Sequence, residues 1–437
     1  MSETGSYSIR DQINNNSMSF FQVATIALCT AINMLDGFDV LVMSFAASSV
    51  AKEWDLLPSE VGILLSAGLF GMAIGSIWLA PYADKIGRRA LVLLCLFVIT
   101  IGMFASAASS DKTQLAGLRF LTGLGIGGML AALSALVSEY SNDVRRGMSM
   151  SILQSGYPLG AILGGIVSVY LLQNFGWRSL FFFGGLASAV MIPIAFWKLP
   201  ESIDFMLLGD KAQYKDKISK LAERMNLIKY EISSTSEKAA RQTYRTLLEA
   251  KYRLNTLCIW VGYFCLMFSF YFVVSWTPKL LVDAGLTTVQ GVSAGIYLQM
   301  GGIIGALTLG YLTSRFQVTR LTSLYLLLSV LSMVIYGLAN LSLVQLMLCA
   351  SLMGFFLIGA MIGLYTIAPA IYPANLRVTG IGMAIGLGRI GAILAPFLAG
   401  YILEFGLHQS QSFIVFAAPL LVASLAIWQI RLSRTLS

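Results

Sequence analysis

The stretch "GSIWLAPYADKIGRR", residues 75–89, runs from an apolar segment straight into a cluster of charge: Asp84, Lys85, Arg88 and Arg89. A second stretch, "GALTLGYLTSRFQVTR" at 305–320, repeats its outline, with Ser314 where the first has Asp84, nine residues after the leading glycine in both. Further on, "EYSNDVRRG" and "IYPANLRVTG" each place an arginine five residues after a tyrosine (Tyr140/Arg145 and Tyr372/Arg377), and "LGAILGG" from Leu159 matches "IGAILAP" from Ile390. The three offsets are 230, 232 and 231 residues. Three matches at one spacing signal an internal duplication, so the chain is two copies of one unit.

Composition says what that unit is. Of the 437 residues, 57% are hydrophobic and 11% charged. Soluble domains carry about 25% charged residues, and the mean hydropathy here is +0.77. Twelve windows, roughly 20–50, 60–80, 90–109, 113–139, 147–172, 178–198, 255–276, 289–313, 321–340, 342–371, 378–403 and 411–430, reach the ~20 apolar residues a bilayer span needs. Lipid offers the backbone no partner, so each must be a helix. The expected fold is therefore an all-α polytopic membrane protein with twelve transmembrane helices in two parallel six-helix repeats. Six is even, so both repeats insert the same way round. A parallel pair with a midplane site between the halves is the plan of a secondary transporter.

Lys and Arg set the orientation. With the N-terminus inside, the cytoplasmic segments hold 23 of them and the outer segments only Lys52, Lys112, Arg178 and Lys279. Without the long linker the bias is still 11 against 4. Both termini are expected in the cytoplasm and the protein in the inner membrane. The boundaries follow: a tail at 1–18, a first repeat at 19–198, a cytoplasmic linker at 199–254, a second repeat at 255–430 and a tail at 431–437. The first tail has no apolar core or small-residue cleavage site, so no cleaved signal is expected. In the linker, "KISKLAERMNLI" puts Ile218, Leu221, Met225 and Ile228 on one face of a surface helix. The net charge of +8 is explained by this asymmetry, and nucleic acid is not an expected partner. All five cysteines fall in apolar runs, which points to buried free thiols; the single His408 offers no metal cluster, and no cofactor is expected. Glycines four apart (Gly71/Gly75, Gly123/Gly127, Gly156/Gly160/Gly164, Gly301/Gly305, Gly359/Gly363 and Gly382/Gly386) are expected at close helix contacts.

The loop motif around Asp84, Lys85, Gly87, Arg88 and Arg89 resembles the signature G-x-x-x-D-(R/K)-x-G-R-(R/K) of the major facilitator superfamily, with Ala80 replacing its leading glycine. "RFLTGLGIG" from Arg119 resembles the superfamily's fourth-span motif, and "LPESIDFML" the Pro-Glu-Ser segment after span six. "DGFD" in span one and "YPANLRVTGIGMAIGLGRIGA" leading into span eleven are similar to the aromatic acid:proton symporters. That resemblance implies import of benzoates, hydroxybenzoates, protocatechuate, gentisate or muconate. The fifth span lacks the Gly-Pro step of the antiporters, and the second-half loop has lost its acid.

Charged residues inside spans are costly and mark function by default. Asp36 and Asp39 are three residues apart on span one and are expected to share a face and a cavity. Arg119 of span four is expected opposite them as a counter-ion or as a substrate ligand. Two carboxylates in one cavity disfavour a second negative charge while a guanidinium favours it, a competition suited to loading and releasing a proton. Arg389 has no acid on its own span and sits near the midplane; its fork fits a substrate carboxylate, the alternative being a first-half carboxylate or backbone carbonyls. Tyr157, Tyr263, Tyr271, Phe272 and Tyr365 could flank an aromatic ring. Asp84, Arg88, Arg89, Glu139, Arg145 and Arg377 are the expected gate residues, with Glu139 pairing to the Asp84 loop near Arg145 and Arg146.

The expected function is proton-coupled import of a small organic carboxylate, aromatic by resemblance, by alternating access in a lipid bilayer and as a monomer. The alternative is a facilitator or exchanger for a sugar or another organic anion. Two buried acids favour proton coupling. A receptor would need a signalling domain, and no nucleophile–base or metal constellation suggests an enzyme.

Overall fold

The computed structural model describes residues 7–208, 211–225, 227, 230–231, 244–339 and 341–430. Twelve of its helices are long and apolar enough to span a membrane. In order they are Phe20–Trp54, Pro58–Trp78, Arg88–Ala107, Lys112–Tyr140, Arg146–Phe175 and Arg178–Lys198 in the first half. The second half holds Arg253–Asp283, Thr288–Leu312, Val318–Leu338, Leu343–Ile371, Ala374–Glu404 and Gln409–Gln429. They are called spans one to twelve below.

Local signals start these helices in the same way in both halves. Span two opens with the Leu57 N–H donating to Glu60, span eight with the Thr287 N–H donating to Gln290. Span four opens on Asp111, whose carboxylate accepts from the Thr113 and Gln114 N–H groups, and span ten on Ser342, whose N–H donates to Gln345. Side chains at these positions satisfy N–H groups that a helix start leaves without partners. Span one stops at Asp55, in the left-handed region at φ 49°.

The duplication extends to helix packing. A Cβ on Gly71 or Gly75 would collide with the carbonyls of Phe120 and Leu124 on span four. At the equivalent places, Gly301 and Gly305 meet the carbonyls of Ser351 and Phe355 on span ten. Gly160 lies against the Met34 carbonyl, and its counterpart Gly391 against that of Phe264. Small residues let backbones approach to this distance, which is how membrane helices associate without a hydrophobic driving force. Gly382 and Gly386 depart from the expectation: nothing lies within 4 Å of the place a Cβ would take on either.

The halves touch at the end away from the linker. Ser44 Oγ of span one donates to the Val274 and Ser275 carbonyls at 2.9 and 2.7 Å, and Ser66 Oγ of span two to the Ile393 carbonyl at 3.0 Å. A Cβ on Gly62 would stand 2.7 Å from the Pro396 carbonyl, and one on Gly400 2.5 Å from that of Pro58. At the linker end spans two and eleven part: Gly382 and Gly386 share a helical stripe with Arg389, Ile393 and Gly400, yet face open space. The bundle is thus closed at the far end and open at the linker end.

The linker is not bare coil. Short helices cover Ile203–Leu208 and Lys211–Arg224, and Ile218 and Met225 are buried. Ile228, expected on the same face, lies outside the described residues. The first tail contributes a helix, Ile9–Asn15, with Ile9 and Ile13 buried, and Tyr7–Ser8 pairs in parallel with Tyr230–Glu231 of the linker. All five cysteines are free and buried.

Candidate substrate and proton site

Asp36 and Asp39 are 2% and 1% exposed, and none of their four carboxylate oxygens has a hydrogen-bond partner. Asp39 is turned away from the second half. At 100° per residue, Asp39 lies about 140° around span one from Ser44, which faces the second half. A Cβ on Gly184 of span six would stand 3.1 Å from Asp39 Oδ1, so that carboxylate points into the interior of the first half. Asp36 is within electrostatic reach of Cys95 on span three and Tyr157 on span five.

Arg119 is equally buried. Its guanidinium donates to the backbone carbonyl of Asp39 at 2.5 Å and to Met103 Sδ at 3.3 Å, and it lies 5.6 Å over the Phe181 ring. No carboxylate oxygen accepts from it among the described residues. Arg119 also lines a narrow cavity between spans one, two and four with Val40, Met43, Gly68 and Met72. The guanidinium thus lies beside Asp39, whose carboxylate oxygens have no hydrogen-bond partner.

Arg389 crosses between the halves. It donates to the Met72 carbonyl at 3.3 Å and to Ser76 Oγ on span two, and no carboxylate lies within ion-pair distance among the described residues. A cation near mid-span is therefore held only by neutral acceptors. Tyr271 and Tyr365 are within its electrostatic reach, and Tyr271 in turn within that of Tyr157. Tyr263 is fully buried, packs edge-on against Tyr365 at 5.8 Å, and has no partner for its hydroxyl. The Tyr157 hydroxyl is likewise unpartnered; Gly37 is what lets span five bring Tyr157 up against span one. Phe272 is excluded from the site: it stacks on Phe416 at 4.0 Å and 8°, inside the second half.

At the linker end Arg88 and Glu139 form an ion pair, with Asp84 3.7 Å from Arg88 and 78% exposed. Ser202 Oγ donates to Glu139 at 2.6 Å, Arg10 to the Glu139 backbone carbonyl at 3.1 Å, and the Tyr140 hydroxyl to the Glu201 carbonyl at 2.7 Å. The Arg89 N–H donates to Glu201 Oε1 at 3.0 Å. All these partners belong to the first half, the first tail or the start of the linker. Glu139 takes its cation from the loop that carries Asp84; Arg145 and Arg377 are exposed, and Arg146 pairs with Asp143 at 2.5 Å. Among the described residues the second-half loop shows no such cluster; Ser314 caps its own turn on Tyr311, and Arg315 lies over the Tyr311 ring. Ser76 carries no signal in the sequence, since serines are common in spans, and Ser202 stands in the Pro-Glu-Ser segment without a role that the sequence alone assigns.

The family model described as Major Facilitator Superfamily matches residues 26–344. The chain belongs to the major facilitator superfamily. It is 32% identical to a gallate transporter of Pseudomonas putida over 96% of this chain and 94% of that one. It is 30% identical to a 4-hydroxybenzoate transporter of Pseudomonas aeruginosa over 95% and 94%. Among solved structures, an inward-facing, unoccupied bacterial homolog of the human lysosomal transporter Spinster matches with a TM-score of 0.72 at 16% identity, over 94% of this chain and 97% of that one. That likeness speaks for the fold alone. Twelve apolar helices and superfamily membership make this a multi-pass protein of the inner membrane.

Proposed function

We propose that the protein imports a small aromatic carboxylate together with protons, by alternating access and as a monomer. The observation that carries this is the pairing of two buried acids without hydrogen-bond partners in one half, Asp36 and Asp39, with Arg389 in the other, held only by the Met72 carbonyl and Ser76 among the described residues. An ionised carboxylate buried without hydrogen bonds is costly, and binding a proton removes its charge. A substrate carboxylate at Arg389 supplies the anion that the guanidinium lacks, in the bidentate geometry it favours. Proton site and substrate site are then separate, with span one and Tyr157 between them. Once Asp39 releases its proton, Arg119 can leave the backbone carbonyl for the carboxylate, and span one shifts. A monoanion entering with more than one proton draws on both the pH gradient and the membrane potential. The relatives named for gallate and 4-hydroxybenzoate support an aromatic acid as the substrate.

The Arg88–Glu139–Ser202 cluster and exposed Asp84 belong in this scheme to the cytoplasmic gate, with Arg89, Arg145 and Arg377 at the same end. The short segments at the linker end hold eleven Lys and Arg against four at the other, which supports cytoplasmic termini. No enzymatic activity is part of the proposal. The test is uptake of labelled benzoates by proteoliposomes with an imposed pH gradient. Accumulation above equilibrium that a protonophore abolishes is the expected result; uptake that only equilibrates, with or without the gradient, would overturn proton coupling.

A further inference from the structure

Gln299 sits eleven residues into span eight, in "GIYLQMGGIIG" (295–305), about 16 Å from the helix start and so near mid-membrane. It is 1% exposed, and both its amide nitrogen and its carbonyl oxygen lack a hydrogen-bond partner. Its direction follows from its neighbours. Gly295 faces the Phe45 ring of span one, 3.2 Å from where a Cβ would be, and Ile296 fills the place of a Cβ on Gly165 of span five. At 100° per residue Gln299 falls between these two directions, one turn closer to the linker end. Its carboxamide therefore points at the first half, just beneath the contacts that close the far end.

Leaving a buried amide unpartnered is destabilising, and an aliphatic side chain would fill the same space without that cost. The chemistry of the missing partner can be read from the amide. It offers donors and an acceptor in one plane. A carboxylate would satisfy only the donors, and a cation only the acceptor. A hydroxyl group satisfies both, accepting from the N–H and donating to the carbonyl. With the carboxylate assigned to Arg389, the remaining polar group must lie elsewhere on the ligand.

We propose that Gln299 is a specificity-determining residue whose carboxamide binds a ring hydroxyl of the aromatic carboxylate. The assignment rests on the transport reading of the same site. A pocket built to hydrogen-bond a hydroxyl discriminates strongly against the analogue without one, because its own polar groups are then left unpaired.

The experiment measures binding of benzoate and its three monohydroxy isomers to the purified full-length protein and to Gln299→Met, a near-isosteric variant that removes only hydrogen bonding. Gln299→Leu is the second variant should the first not fold. The unmodified protein is expected to prefer at least one hydroxy isomer over benzoate by about tenfold or more. The variant should lose that preference to within about twofold, by weaker binding of the hydroxy acid and unchanged or tighter binding of benzoate. A preference that survives substitution, or equal losses for benzoate and the hydroxy acids, overturns the assignment while leaving the transport reading intact. Absence of binding by all four acids to the unmodified protein overturns both.

Discussion

At the residue scale, the question is why charges sit in an apolar bundle. Asp36 and Asp39 are buried with no hydrogen bonds, and Arg119 stops at a backbone carbonyl beside them. An arrangement selected for stability alone would pair them. Asp36→Asn and Asp39→Asn should each abolish accumulation against a gradient, since an amide carries no exchangeable proton charge; substrate exchange without net proton movement should survive in at least one. Uptake in proteoliposomes checks this, and concentrative uptake by both variants would remove the acids from coupling. Arg389 is tested by geometry. Lysine keeps the charge but loses the planar fork. Arg389→Lys should weaken substrate binding about tenfold or more, because a charge-assisted bond is worth ~1.5–3 kcal/mol and ~1.4 kcal/mol is one decade. The substrate's amide analogue should bind the unmodified protein poorly and lose little more in the variant. Equal losses for acid and amide would move the anchor, with Arg119 next in line.

At the scale of elements, the linker end of the first half is a small polar assembly in which burial decides the energetics. Glu139 is 4% exposed at its side chain and Arg88 16%, so removing one partner strands the other. Such a loss costs ~3–5 kcal/mol. Glu139→Leu should therefore lower the melting temperature of the purified protein measurably. Asp84 is different, being 78% exposed at 3.7 Å from Arg88. Surface pairs of this kind contribute ~0–1 kcal/mol, so Asp84→Asn should leave melting almost unchanged. It should still slow transport, because the loop must find a new partner when this end closes, while substrate affinity stays within a few-fold. Loss of equilibrium binding in a folded Asp84→Asn protein would place Asp84 in the site and not at the gate.

At the scale of the whole molecule, glycines on spans two and eleven report the state of each end. Gly62 is clamped against the Pro396 carbonyl at the closed end; Gly386, on the stripe that carries Arg389, faces open space at the linker end. Alternating access requires the open stripe to close when the clamped one opens. Gly386→Leu should then fold normally but hold the linker end open, cutting turnover about tenfold with binding nearly unchanged. Gly62→Leu should have the opposite bias and expose the far end. Labelling of single cysteines near each end with a membrane-impermeant maleimide distinguishes the two; identical labelling patterns in both variants would argue against a rocking of the halves.

Periodicity, charge asymmetry and the offset of about 230 residues were enough to read twelve helices in two copies, because a bilayer permits few folds and a duplicated sequence repeats its packing glycines. The buried charges were also legible, since any ionised group in an apolar run stands out. Their directions were not. Asp36 and Asp39 share a face of span one, but which face meets the second half depends on how span one packs against spans four, five and six. Likewise nothing local in the chain tells that Arg389 reaches Ser76, 313 residues away, or that Phe272 turns into the core while Tyr271 stays near the cation. Spacing along one helix orders side chains around that helix only. Which of them meet is decided by the rotation and depth of the neighbouring helices, a property of the packed bundle.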